Sequence, residues 1–90
     1  DPEFLCFGAI KMLVQIALKN NKYDKAIKLL DDGFKKVSKN YSIEMKLIKA
    51  SVLIEQGKTG RAKSLIDEVM IEEKLPRHLK QKSEELIGLM

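Results

Sequence analysis

The 90-residue sequence predicts an all-α fold of stacked antiparallel helical hairpins, about five helices in all. Three observations carry that expectation. Apolar residues recur at helical spacing along the chain, and no sustained strand-like alternation interrupts them. Glycine occurs five times and proline twice, too seldom for an all-β chain that must turn about every ten residues. The chain also matches itself when slid by 36 residues, so that Asn21 falls on Gly57, which sets two helical hairpins in series.

Composition narrows the class further. Apolar residues make up 44% of the chain and charged residues 33%, the balance of a globular domain with a small core. No run of apolar residues is long enough to span a bilayer. Cys6 is the one cysteine, which excludes an internal disulfide and a thiolate-rich zinc site. A single thiol fits a cytoplasmic or other reducing intracellular compartment. The opening Asp1-Pro2-Glu3-Phe4 reads as the remnant of a cloning site, so the expected domain is residues 5–90.

The elements follow from the apolar spacing. The first helix is expected over about 5–19, with Phe7, Ile10, Val14, Ala17 and Leu18 on one broad face. Asn20 and Asn21 should stop it, because asparagine tolerates the left-handed conformation at a helix C-terminus. A second helix, about 22–38, carries Tyr23, Ala26, Ile27, Leu30, Phe34 and Val37 as one buried stripe. Asn40 to Ser42 reads as a polar linker in which Ser42 caps a third helix, about 43–56. That helix is apolar on two sides: Ile43, Leu47, Ala50 and Ile54 on one, Met45, Ile48 and Val52 on the other. It should therefore be packed on two sides. Gly57 should end it and Thr59 cap a fourth helix to about residue 73, with Ala62, Leu65, Ile66, Val69 and Met70. Pro76 suits the first turn of a fifth, about 76–89, with Leu79, Leu86, Ile87 and Leu89. The hairpins thus occupy about 5–38 and 42–73.

The self-match is densest in the second helix of each hairpin, where Ala26 falls on Ala62, Leu29 on Leu65, Leu30 on Ile66 and Phe34 on Met70. In the first helices Val14 falls on Ala50, Ala17 on Leu53 and Leu18 on Ile54. The phrase Tyr23-Asp24-Lys25-Ala26-Ile27-Lys28-Leu29-Leu30 resembles the second helix of a tetratricopeptide repeat. Gly57, Ala62 and Ile66 match that family's spacing, and Asn21, Ala26 and Leu30 match it with asparagine for glycine. Alanine fits where two helices cross nearest, and the turn residue needs a positive φ. The resemblance covers roughly residues 7–76. The offset of 36 exceeds the family's period of about 34, and Lys46 and Lys49 stand where Ile10 and Leu13 stand in the first hairpin.

Residues with chemical potential are isolated. His78 has Gln81 and Lys82, not ligands, at helical spacing, so no metal site is expected. Asp31-Asp32, Glu72-Glu73 and Glu84-Glu85 are adjacent only in sequence and diverge around a helix, which suits solvated faces rather than paired acid–base work. Cys6 has no histidine partner and no base before Lys11. Gly57-Lys58-Thr59-Gly60 lacks the upstream glycine and strand of a phosphate loop. No catalytic residue, cofactor or metal is expected, and the chain does not read as an enzyme. Net charge is +4, and the densest basic cluster, Lys35, Lys36 and Lys39, closes one helix without an aromatic platform for nucleic acid.

The resemblance implies a protein–protein interaction module or scaffold fragment that takes a peptide or partner helix on the concave face lined by the first helix of each hairpin. By position the candidates are Lys11, Gln15, Leu18 and Lys19, then Glu44, Leu47, Ser51, Ile54 and Glu55. The Lys and Asn clamp some members use for an acidic C-terminus is incomplete, since Gln15 and Ile48 replace the asparagines. Two other readings are carried. One is a homodimer through apolar ends, Phe7 and Ile10 or Leu86, Leu89 and Met90. The other is a weak basic nucleic-acid binder through Lys35, Lys36 and Lys39.

Overall fold

In the computed structural model, which describes residues 2–90, five helices follow one another with no strand among the described residues. They are α1 (Pro2–Lys19), α2 (Tyr23–Phe34), α3 (Lys39–Glu55), α4 (Thr59–Met70) and α5 (Arg77–Gly88). Asp1, the first residue of the expected cloning remnant, lies outside the described residues. The chain forms two compact units, one ending at Met45 and one running from Lys46 to Met90. The first holds α1, α2 and the start of α3, with α1 packed on α2. The second holds the rest of α3, then α4 and α5, with α4 packed on α5.

The two helical turns have one backbone design. Asn21 has φ 58° and Gly57 has φ 80°, the positive values expected at equivalent positions. At the end of α1, Asn21 N–H donates to the Leu18 carbonyl at 3.0 Å and Lys22 N–H to the Ala17 carbonyl at 2.8 Å. At the end of α3, Gly57 N–H donates to Ile54 at 2.9 Å and Lys58 N–H to Leu53 at 2.8 Å. This pair of bonds is the Schellman motif, which satisfies carbonyls that a helix end otherwise leaves open. The next helix then begins with the same bond, Ala26 N–H to Lys22 and Ala62 N–H to Lys58, each 3.1 Å. Both second helices run 12 residues.

The core is narrower than the expected stripes. Tyr23, Ile27 and Phe34 of α2 and Val37 after it are half-buried, and Met70, Ile87 and Leu89 are exposed. Leu53, on neither expected stripe of α3, is core. In the first unit Phe7, Ile10, Val14, Ala17, Ala26, Leu30, Ile43 and Met45 are buried; in the second, Leu47, Ala50, Val52, Leu53, Ala62, Ile66, Val69, Leu79 and Leu86 are. Gly33 is buried as well, and the reason is close approach. A methyl group built on it would stand 2.5 Å from Met45 Cε and 2.7 Å from Ile10 Cδ1. Side chains from α1 and α3 therefore meet α2 at a position with no side chain of its own.

Several boundaries differ from expectation for identifiable reasons. Helix α1 begins at Pro2, since proline at a first helical position loses no needed N–H. Helix α2 stops at Phe34, not residue 38, because Lys35 N–H turns back to the Asp32 carbonyl at 3.4 Å and Lys36 N–H to the Gly33 carbonyl at 2.9 Å. The expected linker 40–42 lies inside α3, and Ser42 is not a cap: its Oγ donates to the Lys39 carbonyl at 2.9 Å within the helix. Thr59 is the first residue of α4, whose N-cap is Lys58 with no side-chain bond. Helix α4 ends at Met70, and Pro76 is the N-cap of α5 instead of a residue within it. The apolar ends expected to pair copies are also revised. Phe7, Ile10 and Leu86 belong to the core, while Leu89 and Met90 are exposed.

Candidate binding surface

Helix α1 carries apolar residues on two sides, and only one of them is buried. Phe7, Ile10, Val14 and Ala17 face the core of the first unit. On the other side Leu5 is 70% exposed, Met12 67%, Leu13 49% and Ile16 53%. With the exposed Ala9 these fall at i, i+4, i+7, i+8 and i+11, one stripe along a helix. Beside it lies an open groove of about 310 Å³ lined by Lys11, Met12, Gln15, Ile16 and Lys19. Its lining is almost wholly apolar, although two of the five residues are lysines.

The groove edge is tied to the start of α3 within the same unit. Lys11 Nζ meets Glu44 Oε2 at 3.5 Å, with both side chains partly open to solvent. The same ammonium stands 5.1 Å from the centroid of the Phe7 ring, within cation–π range. Phe7 in turn lies 5.1 Å from the Tyr41 ring at a 40° tilt. An aromatic pair at that distance and tilt is favourable beyond its buried area. The Lys11 head is thus steered toward α3.

The residues expected to bind a partner divide unevenly. Lys11, Gln15 and Lys19 are exposed on α1 and line the groove, whereas Leu18 is half-buried and is not among its lining residues. Glu44 is half-buried beside Lys11. In the second unit Leu47 is core, so it offers a ligand nothing. Ser51 is half-buried, with its hydroxyl donating to the Ile48 carbonyl at 2.7 Å; Ile54 is half-buried and Glu55 exposed. Sequence reasoning passed over Leu5, Met12 and Ile16 as surface residues. The signal was present: α1 has a second apolar stripe at helical spacing, as α3 does.

The other sequence features find structural explanations. The Gly57 and Lys58 amides, which a phosphate loop would aim outward, donate to carbonyls of α3. Lys35, Lys36 and Lys39 are exposed at the end of α2, the turn after it and the first residue of α3. Among the described residues, no group of three or more His, Cys, Asp or Glu side chains could hold a metal ion, and no helix is long and apolar enough to cross a membrane. No protein-family model, curated protein or solved structure matches the chain.

Proposed function

We propose that this chain is a helical-repeat interaction module, working as part of a scaffold, that receives a partner helix or peptide on α1. The observation that carries the reading is the exposed stripe of Leu5, Met12, Leu13 and Ile16 beside a groove edged by Lys11 and Lys19. An apolar strip with a polar margin is the composition of recognition surfaces, and helical spacing suits a helix laid alongside. The turn geometry repeated 36 residues apart supports the tetratricopeptide-like part of the reading. The lone Cys6 is consistent with a reducing intracellular compartment.

The test is selection of helical peptides from a displayed library against the folded chain. Binders should lose affinity for an Ile16→Glu variant and for Lys11→Glu, while both variants keep the parent's helical circular dichroism. If the selected peptides bind both variants as they bind the parent, α1 is not the recognition surface and the reading fails.

A further inference from the structure

We propose that the open face of α1 is a seat for an amphipathic helix whose apolar stripe is flanked by acidic residues. The inference rests on the interaction-module reading and names the chemistry of the partner. Its first support is the repeat itself. Shifted by 36 residues, Leu5, Ala9, Met12, Leu13 and Ile16 become Tyr41, Met45, Ile48, Lys49 and Val52 on α3. There the corresponding face is covered: Met45 and Val52 are buried, and Tyr41, Ile48 and Lys49 are half-buried. Within the first unit Met45 reaches the buried Gly33 of α2, so at Met45 that face meets another helix, at a residue without a side chain. Helix α1 presents the equivalent face exposed among the described residues. A helix like α2, carrying a small residue at the closest approach, is what the chain itself uses at this position.

The second support is charge. From Phe4 to Tyr23 the sequence contains Lys11, Lys19 and Lys22 and no carboxylate. Lys11 shares its charge with Glu44, so Lys19, at one end of the groove lined by Met12 and Ile16, supplies the positive margin. A helix lying along that groove places a flanking side chain beside the Lys19 ammonium group. Glutamate or aspartate there is attracted, and lysine or arginine is repelled. A second copy of α1 laid on this face would bring lysine toward lysine, which disfavours self-pairing as its occupant.

Two synthetic amphipathic helices of α1's length test this, sharing one Leu/Ala stripe and differing only in Glu or Lys flanks. Each is titrated into the full chain, with the backbone amides of α1 followed by NMR. The Glu-flanked helix should shift amides around Met12, Leu13 and Ile16 and bind at least about tenfold more tightly than its Lys-flanked counterpart, with that preference shrinking as salt screens it. Ile16→Glu should abolish the shifts, and Lys19→Glu should narrow or invert the preference; both sites are exposed, and unchanged melting verifies that both variants fold. Equal binding of the two helices on α1 overturns the acidic flank while leaving the interaction module standing. Amide shifts in α1 that depend on the chain's own concentration, with no response to either helix, overturn the proposal in favour of a second copy. No response to peptide or concentration removes both the proposal and the reading beneath it.

Discussion

The two hairpins reach one backbone through different side chains. In the first, Asn21 takes the left-handed turn position and Gly33 the tight spot in the second helix; 36 residues later these are Gly57 and Val69. Turn hydrogen bonds agree to within about 0.1 Å between the two, and Ala26 and Ala62 are both wholly buried. The repeat is therefore held by a few stringent positions, the turn residue and the alanine five residues on. The intervening chemistry is free to diverge. It diverges most on α1 and α3, both apolar on two sides, where the face open on α1 is covered on α3.

Truncating the large core residue at equivalent positions is the strongest way to probe that equivalence. Leu30→Ala and Ile66→Ala each remove a side chain with no exposed surface, and each should cost about 2–5 kcal/mol. Thermal unfolding of the pair measures it; a cost confined to one hairpin would break the equivalence. Overfilling comes next. Ala26→Leu and Ala62→Leu should each cost about 1–3 kcal/mol, because a larger side chain must displace a neighbour or take a strained rotamer. Lys58→Ala, at an N-cap whose side chain makes no capping bond, serves as the silent control in the same melts.

The turns sharpen the comparison at smaller magnitude. Gly57→Ala forces a β-carbon into φ 80° and should destabilise by about 1–2 kcal/mol. Asn21→Gly, at φ 58°, should change the melting midpoint little, within about 0.5 kcal/mol, since relief of the left-handed conformation is offset by a freer unfolded chain. A large loss at Asn21→Gly would mean that its side chain, not its backbone, holds the first turn. Smallest of all, Glu44→Gln removes the partner of Lys11 in a solvent-open pair and should cost under about 1 kcal/mol, less in high salt.

What the sequence made legible was what repeats. Sliding the chain on itself located Asn21 and Gly57, Ala26 and Ala62, Leu30 and Ile66, because backbone reversal and close helix contact each admit few residue types. Positions governed by context were not legible. Asn40 and Ser42 are turn-forming residues, yet they lie within α3 on either side of the half-buried Tyr41 and just before the buried Ile43, so packing overrides their local preference. Burial of Ser83, whose hydroxyl donates to the Leu79 carbonyl at 2.9 Å, breaks the apolar pattern that would have marked it. The groove was half legible. The tetratricopeptide resemblance pointed to Lys11, Gln15 and Lys19 on α1, but two apolar stripes on one helix do not say which of them faces inward.

The Schellman turns also decide where the chain opens first. Turn amides ordinarily exchange with solvent fastest, but those of Lys22 and Lys58 are held to carbonyls of the preceding helix at 2.8 Å. The weak points lie one step later. Neither Lys22 nor Lys58 supplies a side-chain cap, so the first amides of α2 and α4, ahead of the bonds made by Ala26 and Ala62, receive none from their N-caps. Asp24 in the first turn of α2 offsets part of that through the helix dipole, and α4 has no acidic residue in its first turn. Fraying should therefore start at Thr59 to Arg61 before it reaches Tyr23 to Lys25. Hydrogen exchange would then map the interior of each hairpin as slow, its turn as slow, and the threshold of its second helix as the fast step between them.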